Sequence, residues 1–375
     1  MADPADLGRE MLEAARRGDA VRLGALAAGK RDLDDACDER GQTPLLVACQ
    51  NGHEAVVRLL LESGADVNHV AAMGETPLFG ASREGHEAVV RLLLESGADV
   101  NHIATDIDET PLHIASREGH DAVARLLVAS GADVNHLTTY FDEPPLVTAS
   151  RNGHDAVVRL LLESGADVNY ATIDLGVTPL LIACENGHEA VVRLLLEFDA
   201  DVNHVAAMDE TPLFDASRNG HEAVVRLLVE AGADVNKART SFGETPLYEA
   251  CRRSDARLVR RLLAAGADPG ISDLEGRSPL YVAAFQSCSA PTVRLLREAG
   301  APVPSTGVSA WVNFAMLRLN GYSDVIEALT TPITWERRFQ LLAWRSSVQR
   351  RRHESARESP VAAHERASSG ECAVA

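Results

Sequence analysis

The sequence predicts an all-α repeat solenoid, built from helix-turn-helix units that carry projecting β-hairpins or loops. The first observation is a short anchor, Thr-Pro-Leu, that returns at intervals of 33 or 34 residues. The second is that each interval holds two stretches with helical apolar spacing, separated by Gly-His. The anchors begin at Thr43, Thr76, Thr110, Thr178, Thr211 and Thr245, and Pro144 and Ser278 stand in the same place in two further copies. A fixed period of this length is typical of stacked units that share their cores.

The first helix of each unit is expected to begin at the anchor. In the first copy the Thr43 hydroxyl can cap the helix, and Pro44 takes the first helical position, where a missing N–H costs nothing. Leu45 and Cys49 lie at helical spacing and give this short helix one apolar face. Gly52 then ends the helix.

The second helix is expected to begin directly after Gly-His. Glu54 places a negative charge near its positive N-terminal end, and residues 56–61 supply a wide apolar face. Gly64 suits the left-handed conformation that closes a helix. Asp-Val-Asn at 66–68 then runs extended toward the next anchor. Two such helices cannot bury this apolar surface alone, so adjacent repeats are expected to share their stability.

Together these motifs resemble the ankyrin repeat. The resemblance rests on Thr-Pro-Leu, Ala, Gly-His, Leu-Leu and Gly-Ala-Asp-Val-Asn in this order, and it covers roughly residues 7–330. It implies L-shaped units with hairpins that project from a curved stack, and a protein-binding role. It does not identify the partner, because one fold serves many partners.

The repeat pattern also divides the chain. We expect an N-terminal capping repeat at 1–40, eight ankyrin repeats at 41–304, a degenerate ninth repeat or cap at 305–330, a basic Trp-containing helix at 331–352 and a disordered tail at 353–375. Residues 43–102 and 178–237 are near copies, which indicates that a block of four repeats was duplicated. Asp108, Asp142 and Asp209 replace the Gly before the anchor, and Asp tolerates the left-handed conformation better than most residues.

Composition excludes several classes of function. The 375-residue chain has a net charge of −19, which argues against nucleic acid as the main partner. No apolar run is long enough to span a membrane, and no secretion signal begins the chain. The six cysteines are scattered, and Cys49, Cys184 and Cys251 occupy a small apolar position of the first helix, as reduced packing cysteines do. We expect a monomer in the cytoplasm, with the nucleus left open by the basic run 350–352.

No enzymatic function is expected. The sequence contains neither a glycine-rich phosphate loop nor a nucleophile elbow, and its Ser, His and Asp residues recur because the repeat recurs. No cofactor is predicted. Histidines after Asp-Val-Asn, such as His69 and His102, are not expected to share a metal ion, because equivalent residues of stacked repeats lie about 8–10 Å apart.

The hairpin tips are the first candidate binding surface. Tips are usually polar in this family, whereas here they carry Met73, Tyr140, Phe141, Met208 and Phe242. Exposed apolar side chains on a projecting edge indicate a protein-binding stripe. The alternative is that neighbouring tips pack on one another.

The position after Thr-Pro-Leu is the second candidate. The family usually has His there, whereas this chain has Phe79, Phe214, Tyr248 and Tyr281 in four repeats and His113 in one. Aromatic side chains exposed on the concave side would anchor a partner. The alternative is packing between repeats.

An arginine row is the third candidate. Arg83, Arg117, Arg151 and Arg218 end first helices, near the negative helix pole, and could bind an acidic peptide or phosphopeptide. The alternative is that they complement the helix ends and pair with nearby glutamates, such as Glu84 or Glu118, one residue along the chain.

Two further hypotheses concern modification and docking. The resemblance implies that the Asn of Asp-Val-Asn can be β-hydroxylated by a 2-oxoglutarate oxygenase, although hydrogen bonding in the hairpin is the alternative. These residues are Asn68, Asn101, Asn135, Asn169, Asn203 and Asn236. The segment 334–352, with Trp335 and Phe339 on one helical face, is either a cap or a docking helix. The chain is thus expected to be a non-catalytic scaffold for a protein or peptide ligand, or alternatively a substrate-recruiting adaptor, for example of a ubiquitin ligase.

Overall fold

The computed structural model describes residues 4–28, 33–105, 108–139, 141–303, 316–318 and 320–331. The chain divides into two compact units. The first consists of Met1–Ile173 with Glu197–Asp199, and the second of Asp174–Leu196 with Ala200–Ala375. Each unit is built from pairs of short helices that are joined by loops, which confirms the predicted all-α repeat fold.

The described helices of the first unit are α1 (Pro4–Arg17), α2 (Ala20–Ala27), α3 (Pro44–Gln50), α4 (Glu54–Glu62), α5 (Pro77–Glu84), α6 (Glu87–Glu95), α7 (Pro111–Glu118), α8 (Asp121–Ala129), α9 (Pro145–Asn152) and α10 (Asp155–Glu163). A 3-10 turn at Ala72–Gly74 lies between α4 and α5. Odd-numbered helices from α3 onward are the first helices of their repeats, and even-numbered helices are the second.

The second unit continues the same alternation. Its described helices are α11 (Pro179–Asn186), α12 (Glu189–Glu197, whose last residue belongs to the first unit), α13 (Pro212–Asn219), α14 (Glu222–Glu230), α15 (Pro246–Arg252), α16 (Ala256–Ala264), α17 (Pro279–Tyr281), α18 (Ala290–Glu298) and a helix at Ser323–Thr330. A π-helical stretch, Val282–Gln286, extends α17.

The anchors start the first helices as predicted. The Thr43 hydroxyl oxygen accepts a hydrogen bond from the Leu46 amide at 3.3 Å, and Pro44 occupies the first turn. Side-chain caps of the same kind are made by Thr76, Thr110, Thr178, Thr211, Thr245 and Ser278. Pro144 has no hydroxyl, and α9 begins without a side-chain cap.

The aspartates before three anchors adopt the left-handed conformation. Their φ angles are 57° at Asp108, 52° at Asp142 and 61° at Asp209. All three also accept hydrogen bonds from the following loop. The donors are the Thr139 hydroxyl to Asp108 at 2.5 Å, the Tyr170 hydroxyl to Asp142 at 2.5 Å and the Ser241 hydroxyl to Asp209 at 2.9 Å. The prediction that Asp could replace Gly at this turn is confirmed.

The core is a series of small apolar layers between successive repeats. In the first unit α3, α5 and α7 each contact the next first helix, and α4, α6 and α8 each contact the next second helix. In the second unit α11, α13, α15 and α17 form the corresponding row. The expected core positions are buried, including Leu45, Val57 and Leu60 in the first repeat, and so are Cys49, Cys184 and Cys251. Each layer therefore needs its neighbour to exclude water.

In the repeats that carry Gly-His and Asp-Val-Asn, the His and the Asn side chains reinforce this stacking. The His120 ring nitrogen Nε2 lies 3.0 Å from the Arg83 carbonyl oxygen of the preceding repeat, and its ring covers Gly85. Asn101 donates to the Gly131 carbonyl at 3.2 Å and accepts from the Asp133 amide at 2.9 Å. The Gly-His histidines His53, His86, His154 and His221 make the equivalent bond.

The projecting segments are loops. Within the ranges that the structure describes, the only bridge between extended segments is an isolated antiparallel one joining Ala104 and Glu109. Of the two predicted forms of the projecting segment, hairpin or loop, the structure therefore shows the loop.

Candidate protein-binding surface

The loop ends, here called tips, expose apolar side chains. The exposed fraction is 54% for Met73, 75% for Phe141, 56% for Met208 and 54% for Phe242. Val70, Leu137, Ile173, Leu175, Val205 and Leu274 are further exposed apolar tip residues. Tyr140 lies outside the described residues. The tips therefore offer apolar side chains to solvent in both units.

Adjacent tips are joined through their backbones. The Ala72 amide donates to the Arg40 carbonyl at 2.8 Å in the first unit. In the second unit the Ala207 amide donates to the Leu175 carbonyl, and the Leu274 amide to the Phe242 carbonyl, both at 2.9 Å. The alternative of contact between neighbouring tips is thus correct for the backbone, whereas the apolar side chains remain exposed.

Arg239 supports the tips of the second unit, and the sequence did not single it out. Its guanidinium carbon lies 5.2 Å from the Phe214 ring centre and 5.0 Å from the Phe242 ring centre. It also donates to the Met208 carbonyl at 3.2 Å. A cation held between two aromatic faces is stabilised by the ring quadrupoles. Arg239 therefore links the buried Phe214 to the exposed Phe242.

The aromatic series after Thr-Pro-Leu is not a surface. Phe79, Phe214 and Tyr248 are almost completely buried, and the prediction that they face a partner is wrong for these three residues. The reason is that the next repeat covers this position, so the alternative of packing between repeats describes them. Tyr248 also donates its hydroxyl to Asp273 at 2.8 Å. Tyr281 is half-buried and contacts Phe285 with tilted rings, 5.2 Å between ring centres and 56° between ring planes.

The predicted arginine row exists, but each member is paired with acids. Arg117 contacts Glu109 at 2.7 Å and Glu118 at 3.2 Å. Arg83, Arg151 and Arg218 each pair in the same way with the glutamate directly before their own anchor, which is Glu75, Glu143 and Glu210 respectively. Arg83 also pairs with Glu84. The alternative of neutralisation by glutamates is correct. The eight-residue separation from the main partner hid this pairing, because helix rules look three or four residues away.

Asp215 is a buried carboxylate in α13 of the second unit. It is 1% exposed, and its carboxylate lies 2.9 Å from Arg218 without a well-aligned hydrogen bond to either oxygen. Burial raises its pKa to about 7, against the lowering effect of Arg218, and Glu210 and Glu185 raise it further. One arginine thus faces three acidic groups.

His113 is the one residue that follows the family pattern after Thr-Pro-Leu. It is fully buried, forms a capping box with Thr110, and lies 3.2 Å from the Glu143 carbonyl through Nε2. Its ring meets the His136 ring edge-on, with 5.6 Å between centres. Burial lowers the pKa of His113 to about 4, so the ring is neutral near pH 7.

The histidines that follow Asp-Val-Asn bind backbone. Nε2 of His69, His102 and His204 lies 3.1, 3.0 and 2.8 Å from the carbonyl oxygens of Gly41, Gly74 and Gly176. In the part of the chain that the structure describes, no three His, Cys, Asp or Glu side chains converge as a metal site would require.

The asparagines tie one repeat to the next. Asn68, Asn101, Asn135 and Asn236 donate to the carbonyl of the glycine that ends the following second helix, and Asn203 accepts from the Asp234 amide. The hydrogen bonds therefore cross between repeats. Hydroxylation of these residues stays a prediction. The segment 334–352 and the tail 353–375 lie outside the described residues.

Comparisons with known proteins agree on one family. The family model described as Ankyrin repeats (3 copies) matches residues 11–104, 102–172, 146–239 and 236–306. Among solved structures, the human ASB11 ankyrin repeat domain is similar at 30% sequence identity and a TM-score of 0.53, over 60% of this chain and 98% of that domain. Among curated proteins, an ankyrin repeat and KH domain-containing protein of Caenorhabditis briggsae is 51% identical over 37 residues, 10% of this chain and 1% of that protein.

The C. briggsae relative is far longer than the matched segment, since this chain spans only 1% of its length. None of the helices in the described ranges has the length and apolar character needed to cross a membrane. Repeats of the matched kind generally mediate protein–protein interaction. The family match runs from residue 11 to residue 306, and this chain belongs to the ankyrin repeat family.

Proposed function

We propose that the chain is a non-catalytic scaffold that binds a protein or peptide along its tips and the adjoining first helices. The observation that carries this proposal is the set of exposed apolar tip side chains, of which Phe141 and Phe242 are the largest. Exposed aromatic and Met side chains are enriched at protein interfaces and dominate their energetics. The hydrogen bonds between adjacent tips support the proposal, because a pre-ordered surface loses little entropy on binding.

The first helices contribute differently from what the sequence indicated. Their aromatic residues stabilise the stack, while the arginine ends remain 29–41% exposed at Arg83, Arg117, Arg151 and Arg218. A partner that contacts these ends meets guanidinium groups already paired with glutamate. We therefore assign affinity to the tips and a secondary, salt-sensitive contribution to the arginine row.

The experiment compares partners captured by the intact chain with those captured by a tip variant, Met208→Ser/Phe242→Ser. Both side chains are more than half exposed, so the variant should keep the thermal unfolding midpoint of the wild type. Val21→Ser, on the 87%-exposed site in α2, is the matched control. Loss of captured proteins in the tip variant alone supports the proposal, and an unchanged set of partners contradicts it.

The alternative function is a substrate-recruiting adaptor. It rests on the basic, Trp-containing sequence 334–352, which lies outside the described residues. Removing 331–375 tests it. An adaptor loses one class of captured proteins while the tip-dependent class is kept, whereas a scaffold without a docking segment keeps its whole set.

Hydroxylation of the Asp-Val-Asn asparagines is a further proposal for the same array. Asn68 and Asn101 are exposed even though their side-chain amide groups are hydrogen-bonded. Co-expression with an asparaginyl oxygenase of the 2-oxoglutarate class should add about 16 Da per modified residue. An unchanged intact mass removes the proposal.

A further inference from the structure

Four exposed apolar residues from successive loops of the second unit are here called the tip row: Leu175, Met208, Phe242 and Leu274. The first three directly precede the residue with positive φ in their loops, and Leu274 lies one residue earlier than this position in its own loop. Each of the four successive loops supplies one residue of the row, and the first two loops also expose Ile173 and Val205. Each of the three links between neighbouring loops is a hydrogen bond to the carbonyl of a row residue. The links fix the register of the loops. The interval between neighbours is therefore that of the stacked helices beneath, about 8–10 Å.

This interval selects the conformation of a ligand. A β-strand repeats on one face every second residue, about 6.6–6.8 Å, which falls short of the interval. An α-helix repeats about every 5.4 Å, so only every second turn would meet a tip. A polyproline II helix has three residues per turn and a rise of about 3.1 Å, so every third side chain returns to one face after about 9.3 Å.

The row also has an aromatic anchor that is fixed before binding. Phe242 lies against the Arg239 guanidinium, which is itself held by the Phe214 ring and the Met208 carbonyl. Aromatic side chains that line a binding surface are suited to Pro-rich segments, whose conformation costs little entropy to adopt.

Charge defines the flanks of the ligand. The loops of the row carry Asp174, Asp209 and Glu275. Of their three cations, Arg277 is paired with Asp273 at 2.6 Å and Arg239 with Glu244 at 3.7 Å, and Lys237 is exposed. The chain as a whole has a net charge of −19. A basic peptide is therefore attracted to this edge, and an acidic one is repelled.

We propose that the tip row binds a polyproline II segment with apolar side chains at every third residue and basic residues at its ends. This inference rests on the proposed scaffold function and names the class of ligand for its second unit. A segment of about ten residues covers the four tips, because three intervals of about 9.3 Å correspond to nine residues of rise.

The test measures fluorescence anisotropy of the full chain with three labelled peptides. The first is Arg-Arg-(Leu-Pro-Pro)3-Leu-Arg-Arg. The second has the same composition with its leucines adjacent, and the third is a helical peptide with Leu at every seventh residue. We expect the first to bind at least about tenfold more tightly than the other two, a difference of about 1.4 kcal/mol.

Substitutions locate the site. Met208→Ser and Phe242→Ser should each weaken binding of the first peptide about fivefold to tenfold, and Arg239→Ala should weaken it by releasing Phe242, while Val21→Ser leaves it unchanged. Unchanged thermal unfolding midpoints show that the variants are folded. Peptide binding by Arg239→Ala is interpreted only if this variant keeps the thermal unfolding midpoint of the wild type. If it does not, the Met208→Ser and Phe242→Ser variants alone test the site.

The outcomes separate the two proposals. Equal binding of the three peptides, no binding of the first, tighter binding of the helical peptide, or binding that ignores the tip substitutions overturns the inference. If the tip variant nonetheless loses its captured proteins, the scaffold function stands and only the ligand class is wrong. If the first peptide binds the tips but the captured proteins are unaffected by the tip substitutions, the scaffold function through these tips fails instead.

Discussion

Asp215 is the residue at which the two near-copies of the repeat differ most in physical terms. The equivalent residue of the first copy is Gly80, and Glu185 likewise stands where the first copy has Gln50. The second copy therefore places a carboxylate in a buried position with one shared arginine, Arg218. A buried charge without full hydrogen bonding is costly, and the protein reduces this cost by keeping a proton on the group.

We expect Asp215→Ala to stabilise the second unit, and to do so more at pH 8 than at pH 4. The folded-state pKa of about 7 lies above the ordinary value of 3.8, so the folded chain keeps the proton over a range where the unfolded chain has lost it. Wild-type stability therefore falls as pH rises from about 4 to 7, and the variant lacks this loss of roughly 1–3 kcal/mol. Urea unfolding at both pH values measures it.

The control is Glu230→Ala, which removes a 60%-exposed carboxylate on α14. Its effect on stability should be small at both pH values. A gain for Asp215→Ala that is equal at pH 4 and pH 8 would show that folding does not raise the pKa of Asp215, and that the burial argument is incorrect.

His113 should produce the opposite dependence in the first unit. Its pKa of about 4 lies below the ordinary 6.5, so the unfolded chain takes up a proton that the folded chain refuses. Stability is then lost as pH falls from about 6.5 to 4. The groups that face it are His136 and Asp108. His113→Phe, which copies Phe79, should lower stability at pH 7 but reduce the loss on acidification by roughly 2 kcal/mol. A parallel acid transition in both proteins refutes this.

At the scale of the helix pair, the Gly-His contact is a close contact between successive repeats. A β-carbon on Gly119 would lie 2.5 Å from Nδ1 of His154, while one on Gly131 would meet no atom within 4 Å. Both glycines have positive φ, 80° and 91°. Substitution of either glycine by alanine therefore introduces backbone strain, but only the substitution of Gly119 also crowds a neighbouring side chain.

We expect Gly131→Ala to cost about 1 kcal/mol, the strain of a left-handed alanine. Gly119→Ala should cost roughly 2–4 kcal/mol, because the displaced His154 ring also loses its bond to the Arg117 carbonyl. Chemical denaturation of the two variants measures the difference. Equal losses would mean that the ring moves aside freely and that this contact does not hold the repeats together.

Much of this element scale follows from the sequence. Period, helix starts, caps and the left-handed aspartates depend on residues within one repeat, so a local pattern predicts them. The burial of Phe79 and Phe214 does not, because it depends on how the next repeat lies over the first helix. The pairing of Arg83 with Glu75 was missed for a similar reason, since the chain turns from loop to helix between them.

At the scale of the whole chain, both units contain the same tip sequence. His69 to Met73 in the first unit and His204 to Met208 in the second have identical residues, and Met73 and Met208 are exposed to 54% and 56%. Duplication of the repeats thus duplicated the exposed apolar groups as well. Each unit can offer a partner an equivalent contact, which favours partners with two similar segments or two copies of one segment.

The most direct measurement is photo-crosslinking from single sites of the full chain. A benzophenone amino acid replaces Phe141 or Phe242 at the tips, or Val21 on the exposed face of α2. We expect discrete crosslinked partners from both tip sites and none of these species from Val21, because the proposed binding surface does not include α2. The same crosslinked species from Val21, or their absence from both tip sites, would contradict this expectation.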